Sequence, residues 1–169
     1  TGVQTCALPI WGNPPTRVGA VTLNAGENLP WSAVIDSTSG YSYFGTLTSP
    51  PYVIKVALGT GSNPPTRSSA VTITSTTEHL RSAVIDAASG YAYFGTGSIP
   101  GRVIKVGLGA GANPPTDIVA MSLNTGENDL WFAEVDAASG YAYFGTTNTT
   151  PTRIVKVALG SGPSLPSRV

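Results

Sequence analysis

The sequence predicts an all-β fold built from repeated four-stranded antiparallel units. Three observations carry that prediction. The stretch AVIDSTSGYSYFGT at 33–46 returns as AVIDAASGYAYFGT at 83–96 and as AEVDAASGYAYFGT at 133–146, so the period is 50 residues. A self-similar period of this size marks an array whose units share a continuous core. β-branched and aromatic residues fill the stretches between Gly, Pro, Asn and Ser clusters, and no stretch shows a helical hydrophobic period.

Each repeat reads as four short strands, and the second copy supplies the pattern. Strand A, Ser82–Asp86, is continuously apolar at Ala83-Val84-Ile85, as expected of an inner strand covered on both faces. The turn Asp86-Ala87-Ala88-Ser89-Gly90 follows. Its Asp side chain can accept from the backbone and its Gly can take positive φ, which makes a hairpin. Strand B, Tyr91–Thr96, puts Tyr91 and Tyr93 on one face and Ala92 and Phe94 on the other. Strand C, Arg102–Leu108, alternates, with Ile104, Val106 and Leu108 opposite Lys105. Strand D is Ser69–Thr74 before this unit and Ile118–Asn124 after it. The B–C loop is one residue longer in the third copy, because Lys55 and Lys105 are 50 apart and Lys105 and Lys156 are 51 apart. Insertions collect in exposed loops, so this loop faces solvent. The Asn-Pro-Pro-Thr at Asn13, Asn63 and Asn113 is a rigid C–D loop.

Short hairpin-connected strands in four-stranded units predict blades of a β-propeller. The expected blades are approximately 31–74, 80–124 and 130–160, and strand 17–24 can complete the last of them. Three blades form a partial ring, since closed rings typically have about 4–8. Further repeats in a longer parent chain are the expected source of the rest, and association of copies is the alternative. Residues 1–10, TGVQTCALPI, resemble the codon-by-codon translation of a common sequencing-library adapter. They are set aside as an artefact, with Cys6, the single cysteine, among them.

Nine basic and nine acidic residues cancel, and only 11% of residues are charged. Neither a nucleic-acid footprint nor a membrane span is expected from such a chain. A neutral, Thr/Ser/Gly-rich repeat suits an extracellular or cell-surface protein. Asn148-Thr149-Thr150 is a glycosylation sequon that carries meaning only in a eukaryotic source.

Through Val34-Ile35-Asp36, Gly40-Tyr41-Ser42-Tyr43-Phe44-Gly45-Thr46 and Val53-Ile54-Lys55-Val56 the chain resembles the YVTN/NHL-like and WD40-like β-propeller repeats. The resemblance covers residues 12–169. It departs from strict WD40 repeats, which carry Gly-His and Trp-Asp dipeptides absent here. The resemblance implies ligand binding at the top face or central channel of a ring, and it carries over no catalytic residue.

Candidate chemistry is sparse. Asp36, Asp86 and Asp136 could form a carboxylate ring, but a turn cap recurring in every blade is the simpler reading. The paired tyrosines and Phe44, Phe94 and Phe144 read as packing between blades before they read as a sugar platform. Lys55, Lys105 and Lys156 read as a solvated face. His79 has no companion His or Cys for a metal, and no cofactor is expected. The D–A loops are where the repeats differ, so Trp31, Arg81, Trp131, Glu27 and Glu127 are the candidate ligand-binding residues. The function expected is a non-catalytic scaffold for a protein or glycan ligand. The alternative is a fragment of a propeller lyase or hydrolase whose site lies in other blades.

Overall fold

The computed structural model describes residues 16–76 and 78–169. The expectations for residues 1–10, for Asn13 and for Thr77 lie outside the described residues. The first sheet runs β1 (Pro30–Asp36), β2 (Tyr41–Thr46), β3 (Tyr52–Ala57), β4 (Thr66–Thr72). The second runs β5 (Leu80–Asp86), β6 (Tyr91–Thr96), β7 (Arg102–Gly107), β8 (Thr116–Ser122). The third runs β9 (Leu130–Asp136), β10 (Tyr141–Thr146), β11 (Ile154–Ala158), β12 (Ser167–Arg168). Each is a four-stranded antiparallel meander in chain order, and the described residues contain no helix.

The strand B boundaries fall where the sequence puts them. Strand D instead begins at Thr66 and Thr116, two or three residues early, because pairing starts at Ala57↔Thr66 and Gly107↔Thr116, directly after the double proline. Residues 17–24 form no ladder. The fourth strand of the last sheet is β12, which follows β11 in the chain and pairs with it at Val157↔Arg168. Val21 and Leu23 lie instead beside Phe44 and Val56 of the first sheet.

The turn reading of the aspartates holds. Asp36 Oδ1 accepts from the N–H groups of Thr38 and Ser39, each at 3.1 Å, and Asp86 and Asp136 accept from Ser89 and Ser139 at 3.2 and 3.1 Å. Gly40, Gly90 and Gly140 close these turns at φ of 79°, 82° and 75°, a region that costs glycine nothing.

Strand A is not the doubly covered strand. β6 and β7 are almost wholly buried, whereas β5 only alternates between buried and half-buried. The central strands of a sheet have neighbours on both edges and both faces; an edge strand lacks one lateral neighbour, whatever its hydrophobicity.

The core lies between the sheets. Tyr43, Val53 and Ile73 of the first sheet pack on Leu80, Phe94 and Val106 of the second. Tyr93, Val103 and Met121 of the second pack on Leu130, Phe144 and Val157 of the third. Each sheet thus presents its tyrosine face to the next sheet's phenylalanine face. Ser32 Oγ donates to the Leu80 carbonyl at 3.0 Å, and Ser82 Oγ to the Leu130 carbonyl at 2.8 Å. A Cβ on Gly95 would stand 2.7 Å from Leu130 Cβ, so glycine here sets how closely the sheets approach.

The lysines correct the sequence reading most sharply. Lys55 and Lys105 are fully buried. Lys55 Nζ donates to the carbonyls of Leu108, Gly109 and Asn113 at 2.9, 2.7 and 3.1 Å. Lys105 Nζ donates to those of Leu159, Gly160 and Ser164 at 3.0, 3.2 and 3.1 Å. Each ammonium also sits 4.4 Å from a tyrosine ring centre, Tyr41 or Tyr91, a favourable cation–π contact. The lysine reaches out of its own sheet and closes over the C–D loop of the next. Burial holds the Lys55 ammonium below the usual lysine range, with the Asp36 charge opposing. Burial likewise pushes the Tyr43 hydroxyl up to about 12, so it stays protonated and donates to the Leu108 carbonyl.

Candidate functional site

The strand-A edges of the three sheets lie side by side, and their first residues form one rim. In every sheet the register slips at this point. Pro30↔Thr46 is followed by Ser32↔Gly45, Leu80↔Thr96 by Ser82↔Gly95, and Leu130↔Thr146 by Phe132↔Gly145. The extra residue in each β-bulge is therefore Trp31, Arg81 or Trp131. A bulge bends its strand and re-aims a side chain, and here it does so at the position where the middle repeat has arginine in place of the tryptophan of the other two.

The three side chains converge. The indole rings of Trp31 and Trp131 meet edge to face, with centroids 6.1 Å apart and planes at 84°. The Arg81 guanidinium lies 4.8 Å from the Trp131 ring centre, and its Nη1 donates to Asp129 Oδ2 at 3.0 Å. Although packed together, Trp31 remains 54% and Trp131 38% exposed. The preceding residues are strained into the left-handed region, Leu29 at φ 55° and Asp129 at φ 53°. A side chain there costs roughly 1–2 kcal/mol. A cleft of about 500 Å³ opens beside the cluster, lined in part by Arg81, Trp131, Phe132, Glu134 and Tyr143.

Glu27 and Glu127 stand apart from this rim. Both are buried. Glu27 takes a paired contact from Arg67, with Nε to Oε2 at 2.7 Å, and accepts the Asn24 N–H at 3.0 Å. Glu127 does the same with Arg168 and Asn124. They tie the D–A loop to strand D. The middle repeat solves the same problem differently. Thr77 occupies the glutamate's place in the sequence and Asp117 the arginine's, and Asp117 Oδ2 accepts the Thr74 and Ser75 N–H groups at 2.9 and 3.1 Å. That joint exchange was visible in the aligned repeats and marks a structural pair.

The Arg67 hydrogen bond holds the Glu27 carboxyl below its ordinary 4.5. Its stabilisation is therefore complete above the unfolded value, near 4.5, and is lost as pH falls through the lower folded value. Glu27→Gln is expected to cost about 1.5–3 kcal/mol at pH 7, the range for hydrogen bonds to charged groups. Urea unfolding of both proteins from pH 7 to pH 3 checks this: the difference should hold down to about pH 4.5 and shrink below it.

Sequence reasoning missed Phe132, Glu134 and Leu29 on or beside the rim. Phe132 could have been found, since it replaces the serine of the other two copies at Ser32 and Ser82. Among the described residues no group of three or more His, Cys, Asp or Glu side chains is placed to hold a metal ion. No protein-family model matches the chain, and no curated protein matches it. What is established is the class: an all-β repeat protein of three antiparallel four-stranded sheets.

Proposed function

We propose that the sheets are blades of a YVTN/NHL- or WD40-like β-propeller, here a partial ring, and that the chain is a non-catalytic scaffold. It binds a protein or glycan ligand at the strand-A rim, outside the cell or on its surface. The observation that carries this reading is the convergence of Trp31, Arg81 and Trp131. A bulge at the start of each strand A brings these three side chains together, and Arg81 and Trp131 line the adjoining cleft. Two exposed indoles and a guanidinium offer flat apolar faces with a polar edge, which suits stacking on a sugar ring or capture of a protein loop. The titratable groups lining the cleft are Arg81, Glu134 and Tyr143, which do not form a nucleophile-and-base pair. The neutral charge supports recognition by shape and stacking over electrostatic steering.

The test applies labelled protein to arrayed neutral oligosaccharides and to arrayed extracellular proteins. Trp31→Ala/Trp131→Ala should lower the signal on the bound probe by about tenfold or more, as loss of aromatic anchors does. Its unfolding midpoint should stay close to that of the parent. Undiminished binding by this variant would remove the rim as the site.

A further inference from the structure

Two faces of the molecule are the unused halves of one junction. The tyrosine face of the third sheet and the phenylalanine face of the first have no sheet packed on them among the described residues. Both internal junctions show what such faces take. In each, a lysine of one sheet enters three carbonyls of the next sheet's C–D loop, and a Tyr–Val pair fills the slot beside a phenylalanine.

On the third sheet, the donor half is assembled and has no acceptor among the described residues. Lys156 Nζ lies 3.8 Å from the Tyr141 ring centre, as its counterparts do over Tyr41 and Tyr91. Ile154, at the position of Val53 and Val103, is 72% exposed. On the first sheet, the acceptor half is present. The carbonyls of Leu58, Gly59 and Asn63 occupy the places of Leu108, Gly109 and Asn113, and they accept no hydrogen bond among the described residues. A groove of about 440 Å³ runs beside Phe44, lined by Val21, Leu23, Pro30, Val56 and Leu58. Its lining already includes the counterparts of Val71 and Ile73. What it lacks are the counterparts of Tyr43 and Val53, which on the third sheet are Tyr143 and Ile154.

The departures from the repeat match as well. At the internal junctions a serine meets a leucine carbonyl, Ser32 with Leu80 and Ser82 with Leu130. At the two open faces the serine is replaced by Phe132 and the leucine by Pro30. Both are exposed, Phe132 at 70%. Brought together, the two side chains make an apolar contact in place of the serine-to-backbone hydrogen bond of the internal junctions. We propose that the third sheet of one copy docks head to tail on the first sheet of a second copy, with Lys156 entering the Leu58, Gly59 and Asn63 carbonyls and Phe132 covering Pro30. This face shares Phe132, Tyr143 and Ile154 with the cleft beside the Trp31–Arg81–Trp131 cluster, but it uses neither tryptophan and does not rest on ligand binding there.

Sedimentation velocity of the 169-residue chain, from about 1 to 100 µM, tests the proposal across the affinity range expected of a transient interface. The chain should show a concentration-dependent rise to about twice the monomer mass or more, since head-to-tail contacts close into rings or extend. Phe132→Asp and Pro30→Asp each disable one face, so each alone should remain monomeric. Mixed, they retain one good face apiece and should give a one-to-one complex. Lys156→Glu provides a second donor-face variant, and circular dichroism confirms that each variant folds. A chain that stays monomeric throughout, variants that associate like the parent, or a mixture that forms no complex would each overturn the proposal.

Discussion

Replacing Lys105 with methionine is expected to destabilise the chain by about 3–5 kcal/mol. Hydrogen bonds to a charged donor contribute about 1.5–3 kcal/mol each and do not add in full. Lys105 makes three, to Leu159, Gly160 and Ser164, in a fully buried setting. Methionine keeps much of the stem's volume and leaves all three carbonyls without the donor. Arginine should not restore stability, because its planar fork is larger than the compact ammonium and does not fit a three-carbonyl cradle. Lys156→Met is the internal control. Lys156, over the equivalent Tyr141 and Tyr143, has no carbonyl cradle among the described residues, so the loss should stay under about 1 kcal/mol, the scale of an exposed cation–π contact. Urea unfolding of the three variants, with the control measured at submicromolar concentration, checks the contrast. Equal losses at Lys105 and Lys156 would mean that the carbonyl cradle contributes nothing.

Phe94→Ala should cost a further large amount, about 3–5 kcal/mol, as expected for a phenylalanine truncated inside a packed core. Phe94 is completely buried in the junction between the first and second sheets, against Tyr43, Val53 and Leu80. The packing has little room to collapse. Gly45 already brings the sheets close enough that a Cβ there would lie 3.0 Å from Phe94 Cδ1 and 2.8 Å from Leu80 Cβ. Phe44→Ala removes the same side chain from the half-buried face of the first sheet and should cost clearly less. Chemical unfolding midpoints of the two variants give the comparison directly, and a loss at Phe94 under about 1 kcal/mol would contradict its burial.

Both contrasts show how one repeated residue acquires different weights. Within the near-identical copies, position decides energy: a lysine or phenylalanine matters in proportion to what the adjacent sheet brings against it. The same logic separates the two sets of candidate ligand-binding residues, Trp31, Arg81 and Trp131 lying in strand A and not in the D–A loop. Trp31, Arg81 and Trp131 converge at the bulged start of each strand A, beside a cleft that Arg81 and Trp131 line, whereas Glu27 and Glu127 turn inward to arginines about 40 residues away in sequence.

The amino-acid sequence by itself determined whatever depends on near neighbours and on period. The 50-residue repeat, the strand B boundaries, the Asp-capped turns at Asp36, Asp86 and Asp136 and the opposition of tyrosine and phenylalanine faces were all legible. Each follows from alternation along a strand or from a side chain bonding two or three residues on. Tertiary structure decided the rest. Lys55 and Lys105 read as solvated because alternation marks them as the polar members of strand C. Their acceptors come from a loop more than 50 residues away, belonging to the next sheet. The bulges that aim Trp31 and Trp131 depend on cross-strand register, and the burial of strand A on its place at a sheet edge. A single strand's residue pattern says which side chains share a face; it does not say what the next sheet will place against that face.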